Sequence, residues 1–396
     1  MRNTSIIKSL LDTDLYKLTT SYAYMIKYPQ ASGTFTFVDR NKTVVSDEEY
    51  NEIHRQIYNF FPYIHLTDEE MEWCKEHIPF IPAFYWEWLR SFNFDYNKIK
   101  INRDEAGHLG IEVNDLLYKV TLYEVPILAI VSEVLCEKTA KGKLSFQNAQ
   151  DKLVNKINIS RKNGFKFSEF GTRRRFSYDV QNWVCNTLRA MGSDVCVGTS
   201  NVHFAMKYNM KAMGTHPHEW FMFHGAQFGY KHANYMALEA WQNIYQGDLG
   251  IALTDTYTSD VFFRNFSKVH AKLFDGIRHD SGDPYVFTDK AIERYKEHGI
   301  DPSTKTIVFS DGLDFEKAAD IHKYCQEKGI RSSFGIGTNL TNDVDGKPCN
   351  IVMKLTNCRM NDNQPLYPTI KLSDVPGKHL GSLSEIDVAK FELRIR

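Results

Sequence analysis

Two histidines stand one residue apart in Gly214-Thr215-His216-Pro217-His218-Glu219-Trp220. In an extended chain both would face the same side. Such a pair suits a metal site completed by Asp255 or Asp280. It equally suits one chemical histidine whose tautomer a carboxylate fixes. The plain alternative is two polar loop residues. Asp280 and Asp283 flank Ser281-Gly282, a spacing that fits Mg²⁺ held through water or substrate oxygens, or an Asx-type turn before Pro284. Asp311-Gly312 and Gly335-x-Gly337-Thr338 can present backbone N–H groups to phosphate oxygens, or simply turn the chain. Arg173, Arg174 and Arg175 crowd what reads as the start of a helix, where the dipole disfavours cations. An anion there would offset the cost. Arg278 can fork a carboxylate or pair with the acids beside it. No G-x-x-x-x-G-K-[ST] occurs, so no P-loop holds a nucleotide.

These groups end short apolar runs: Phe165 to Gly171, Val195 to Asn201, Lys211 to His218, Gly250 to Tyr257, Gly276 to Asp283, Thr306 to Leu313 and Ser332 to Leu340. Helical stretches separate most of them. Alternating strand and helix predicts a parallel sheet with right-handed crossovers. Seven repeats suit an α/β barrel, and its C-terminal rim would gather the polar loops at one site. The connection from Asn201 to Lys211 is too short for a crossover helix, so the barrel should be irregular. No G-x-G-x-x-G opens the first unit, which disfavours a dinucleotide fold.

The first third reads as a smaller mixed α/β domain. Asp12 to Tyr28 predicts a helix and Gly33 to Val38 a strand. Residues 47 to 100 read as helical, and Ile111 to Glu124 holds strand-like stretches. Pro126 then opens an apolar helix that could serve as a hinge. The expected division is 1–130, 131–345 and 346–396, with the last segment packing on the N-terminal domain.

The 396 residues carry 48 basic and 49 acidic side chains, for a net charge of -1. Nothing in that balance points to nucleic acid or a membrane surface. No secretory signal and no apolar run of membrane-spanning length is present. Seven scattered cysteines without C-x-x-C suggest reduced thiols in a cytoplasmic protein.

Taken together, the chain resembles the bacterial type of nicotinate phosphoribosyltransferase. The resemblance rests on Thr13-Asp14-Leu15-Tyr16-Lys17-Leu18-Thr19, Glu169-Phe170-Gly171-Thr172-Arg173-Arg174-Arg175, Gly198-Thr199-Ser200-Asn201 and Gly214-Thr215 with His218-Glu219-Trp220. It continues through Leu253-Thr254-Asp255, Arg278-His279-Asp280-Ser281-Gly282-Asp283, Phe309-Ser310-Asp311, Phe334-Gly335-Ile336-Gly337-Thr338 and Lys371-Leu372-Ser373-Asp374. It implies transfer of phosphoribosyl from phosphoribosyl pyrophosphate to nicotinate, with ATP hydrolysed through a phosphohistidine at His218. It also implies Mg²⁺ and a homodimer with shared active sites. By the same resemblance, Asp255 would orient His218. Phe170 would stack on the pyridine ring, with Tyr16 reaching in from a partner subunit. Ser200, Thr215 and Arg278 would read the carboxylate, and Arg173 would face anionic oxygens. Asp280 would hold ribose and pyrophosphate with Mg²⁺, with Asp283 a second metal ligand, and Gly312, Gly335, Gly337 and Thr338 would cradle the 5-phosphate. An aspartate at the place of Ser200 marks the nicotinamide-using relatives. The competing readings are that relative, a metal-dependent hydrolase using His216, His218 and Asp255, and a non-catalytic phosphate-sugar binder.

Overall fold

The computed structural model describes residues 4–139, 146–344, 348–375 and 378–395. The first three residues of the N-terminal stretch and the boundary at 345–346 lie outside them. Among the described residues, eleven strands fall into two sheets. The first sheet holds β1 (Ser32–Asp39), β2 (Ile99–Arg103), β3 (Leu109–Leu116), β10 (Ile351–Arg359) and β11 (Tyr367–Pro368), in the order β11-β10-β1-β3-β2. All its pairings are antiparallel. Phe35 and Phe37 of β1 point to the covered face and are buried, as alternation in a one-sided sheet requires.

The second sheet holds β4 (Phe167–Glu169), β5 (Cys196–Thr199), β6 (Ile251–Leu253), β7 (Gly276–His279), β8 (Thr306–Phe309) and β9 (Arg331–Ile336). Its order is β5-β4-β9-β8-β7-β6, and every pairing is parallel. Helices Tyr178–Met191, Tyr230–Tyr245, Pro284–Glu297 and Phe315–Lys328 lie in the connections. The expected strand at Lys211 to His218 does not form. That run makes one parallel bridge, Ala212 to Thr199, through bonds of 3.0 and 2.9 Å on Thr199. The chain then leaves the ladder before Pro217, which has no N–H to extend it.

The N-terminal helices are Leu15–Lys27, Asp47–Phe60, Asp68–His77 and Ala83–Ser91. Ser46 with Glu49 and Thr67 with Glu70 form capping boxes at two of them, which sets where each begins. The apolar helix Glu124–Thr139 starts two residues before Pro126, and Val125 to Leu135 of it are almost entirely buried. The C-terminal segment splits its loyalties. β10 pairs with β1, whereas helix Leu383–Leu393 lies against helix Tyr230–Tyr245 in the connection from β5 to β6. No helix among the described residues is long and apolar enough to cross a membrane.

Candidate active site

The C-terminal ends of the parallel strands open on a cavity of about 670 Å³. Three parts of the chain wall it. Strand ends supply Phe170, Arg278, Asp280, Gly312, Gly337 and Thr338; the N-terminal domain supplies Tyr16, Arg40 and Glu124; the C-terminal segment supplies Lys354, Lys371 and Lys378.

His218 begins the helix His218–Phe228 at the cavity wall. Its Nε2 lies 2.8 Å from Asp255 Oδ1 and 3.6 Å from Asp280 Oδ2. Lys371 Nζ lies 2.7 Å from the same Nε2 and 3.1 Å from Asp255 Oδ2. One ring nitrogen cannot donate to Asp255 and accept from Lys371 at once, so the two contacts are alternatives. Burial, then the Lys371 ammonium, lowers the imidazole pKa and so favours the neutral ring. Asp255 is fully buried and accepts from Ser281 Oγ at 2.7 Å. Burial alone would raise its pKa, but Lys371 and His218 overcome that and hold it well below the usual carboxylate range.

Arg278 donates to Thr215 Oγ1 at 2.9 Å, Ser310 Oγ at 2.8 Å and Asp280 Oδ1 at 2.9 Å. Two of its five N–H donors stay available to a ligand. Asp280 Oδ1 also accepts from Ser310 Oγ at 2.6 Å. Its Oδ2 accepts no hydrogen bond from the described residues and can offer one hard oxygen to Mg²⁺. His218, Asp255 and Asp280 offer atoms within 4.8 Å of one another, yet the Lys371 ammonium already stands between two of them. A cation cannot share that spot, so the donor set fits Mg²⁺ at Asp280 on the cavity side only.

Other expected residues divide. Tyr16 lines the cavity of its own chain, where Leu15 N donates to Ser200 O at 2.8 Å and ties the helix start to the end of β5. Its hydroxyl reaches Glu124 at 3.5 Å, and Arg173 meets the same carboxylate at 3.5 Å. Gly335 gives Phe170 its place: a Cβ there would come within 2.4 Å of the ring. Gly312 adopts φ +55, a backbone state that suits glycine. Ser200 is buried and donates to Asp14 Oδ1 at 2.7 Å, so its hydroxyl is turned away from the cavity. Thr215 is likewise buried, held by Arg278. Asp283 does not reach the cavity; it caps helix Pro284–Glu297 by accepting from Tyr285 N and Val286 N.

The histidine pair comes apart. The extended run ends at Pro217 and the helix begins at His218, so alternation no longer sets where His218 points. His216 is fully buried against Trp241, with ring centroids 4.4 Å apart. Burial, helped by Arg278, lowers it to about 3. The basic triplet also divides. Arg173 and Arg174 wall the cavity, while Arg175 is fully buried and forks Asp12 at 2.7 and 3.0 Å.

Sequence reasoning missed several groups. Lys17 sits fully buried between the Glu124 and Glu219 carboxylates, which both face the cavity. Lys371 opens Lys371-Leu372-Ser373-Asp374, where no local pattern gives it a role. Lys354 had no local signal, since nothing in β10 tells which sheet it joins.

Two family models match the chain: the nicotinate phosphoribosyltransferase (NAPRTase) family over residues 165–389 and its N-terminal domain over residues 11–132. The nicotinate phosphoribosyltransferase of Chromohalobacter salexigens is 42% identical over 98% of this chain and 99% of its own length. That of Methanosarcina acetivorans is 38% identical over 98% of each. The crystal structure of the enzyme from Porphyromonas gingivalis superposes with a TM-score of 0.95 at 46% identity, covering 98% of this chain and 100% of that one. The Vibrio cholerae structure does so at 0.92 and 33%, covering 100% and 95%. With both models matched and relatives alike from end to end, the chain belongs to the nicotinate phosphoribosyltransferase family.

Proposed function

We propose that this protein joins nicotinate to the ribosyl carbon of phosphoribosyl pyrophosphate, releasing nicotinate mononucleotide and pyrophosphate, with ATP and water converted to ADP and phosphate. This is an entry into NAD salvage. The observation that carries the reading is the convergence of His218, Asp255, Asp280 and Arg278 with Phe170 and Tyr16 on one cavity rimmed by Gly312, Gly337 and Thr338.

Phe170 and Tyr16 offer aromatic faces to a flat ring. The free donors of Arg278 suit a carboxylate, and Gly312, Gly337 and Thr338 suit the 5-phosphate. At position 200 a serine would favour the acid only by adding no negative charge, where an aspartate would repel the carboxylate. Magnesium, held by Asp280 and substrate oxygens, would supply charge neutralisation at the pyrophosphate. Asp283 is left as a helix cap.

For phosphoryl transfer, His218 must present a lone pair. With Nε2–H donated to Asp255, Nδ1 carries it and attacks the terminal phosphorus of ATP while ADP leaves. Lys371 must then give up Nε2, and a substrate phosphate is the natural anion to draw it off. Water later takes the phosphoryl group from His218. Added charge near the site can tighten substrate by roughly tenfold per 1.4 kcal/mol. A homodimer in the cytoplasm is the proposed setting. The hydrolase reading loses its ligand set, because His216 lies in the core.

The test is labelling with terminal-labelled ATP and Mg²⁺. An acid-labile, base-stable phosphate should appear on His218 and vanish in His218→Asn. Label elsewhere, or label retained in the variant, would falsify the assignment. Parallel assays with nicotinate, nicotinamide and quinolinate should show turnover with nicotinate.

A further inference from the structure

Five cysteines are sealed in the core. Burial raises the thiols of Cys74 and Cys185 and pushes Cys325 up to about 11 and Cys196 and Cys358 up to about 12. Such thiols are inert. The other two, Cys136 and Cys349, meet with their sulfurs 4.0 Å apart although 213 positions separate them.

Their surroundings differ from the rest. Cys136 is buried in the last turn of the apolar helix Glu124–Thr139, while Cys349 is half-buried on the approach to β10. Asn342 Nδ2 lies 3.4 Å from Cys136 Sγ and spends its other proton on Arg174 O at 2.8 Å. Ser132 Oγ also lies 3.9 Å from that sulfur, but its single proton goes to Arg175 O at 2.8 Å. The Cys349 thiol and the Asn342 amide both face Cys136 Sγ. The first of these, against burial, brings Cys136 down to about 6, while the Cys349 proton is held more tightly. Of the two, Cys136 is therefore the sulfur that more readily carries a negative charge.

We propose that Cys136 and Cys349 form a hydroperoxide-reactive modification site that closes to a disulfide beside the cavity. The charged sulfur attacks one oxygen of hydrogen peroxide; an S–O bond forms and the O–O bond breaks. The departing hydroxide takes the remaining thiol proton and leaves as water. The second sulfur, now a thiolate, attacks the sulfenic sulfur; the S–S bond forms, the S–O bond breaks and hydroxide departs. Both sulfurs are oxidised and the peroxide is reduced. The sulfurs must approach by about 2 Å to reach bonding distance.

That closure has a consequence at the cavity. Pro348, next to Cys349, and Asn342, bonded to Cys136, both line it. Asn342 also holds the Arg174 carbonyl. Oxidation therefore pulls on the wall that carries Arg174.

The test treats the whole protein with stoichiometric hydrogen peroxide, then counts thiols after denaturation and maps disulfide-linked peptides. The count should fall from seven to five, with one Cys136–Cys349 crosslink that dithiothreitol reverses. Cys349→Ser and Cys349→Ala should both lose the crosslink; Cys358→Ser should keep it. Phosphoribosyl transfer should fall on oxidation and return on reduction. A count that stays at seven, a crosslink between other cysteines, or oxidation that stops at a sulfur acid would overturn the site. A crosslink that leaves activity unchanged would overturn its link to the cavity.

Discussion

The cations on the cavity wall are not equivalent. Lys354 is pushed down to about 7, by burial first and then by Arg40 and Lys371. It is charged below that pH and neutral above it, so the wall loses a positive charge between pH 6 and 8. An anion bound beside it would raise that value again. KM for phosphoribosyl pyrophosphate should therefore rise with pH across this window, and Lys354→Met should flatten the profile and leave KM high throughout. A wild-type profile without that rise would remove Lys354 from the phosphate site. The adjacent arginines make a second contrast. Arg173→Met should raise KM with little loss of stability, because its side chain is about one-third exposed. Arg175→Met leaves Asp12 charged and unpaired in the core and should cost about 3–5 kcal/mol, read as a lowered midpoint in urea. The sequence showed three identical neighbours; only the tertiary fold reveals that the third turns inward to Asp12.

At the scale of elements, what could be read in advance was whatever local pattern controls. Helix Leu15–Lys27 and strand Ser32–Asp39 fall where alternation and helical spacing put them, and six of the seven apolar runs became parallel strands. The seventh failed because pairing depends on a neighbour, and only Ala212 finds one. Asp283 shows the same limit at a loop. Two acids around Ser281-Gly282 look alike in sequence, yet Asp280 ends a strand facing the cavity and Asp283 starts a helix. Asp283→Ala should cost about 1 kcal/mol of stability, the usual value of an N-cap, with kcat and the Mg²⁺ dependence unchanged. A shift in the Mg²⁺ requirement would restore the metal role. Lys371 and Lys354 escaped notice for a different reason: the C-terminal segment carries both to the cavity wall and Lys371 to His218, a long-range outcome that no window of sequence contains.

For the whole molecule, the C-terminal segment is both structural and functional, and the two roles can be separated. β10 runs beside β1 over eight paired residues and sits inside its sheet, between β11 and β1. A chain ending before Ile351 exposes β1, leaves Phe35 and Phe37 without that cover, and should not fold. Helix Leu383–Leu393 lies beyond Lys371 and covers helix Tyr230–Tyr245 with Ile386 and Leu393. Arg264 also donates to Leu393 O at 2.8 Å. Losing two large apolar side chains, at about 1.5–3 kcal/mol each, is a sizeable fraction of an ordinary folding free energy, but the His218, Asp255 and Lys371 cluster stays complete. A chain ending at Ser382 should therefore melt well below the full-length protein and still take phosphate from ATP onto His218 at low temperature. If that shorter chain is folded and yet unlabelled, the last helix does more than brace helix Tyr230–Tyr245; if it melts with the full-length protein, its apolar face contributes nothing to stability.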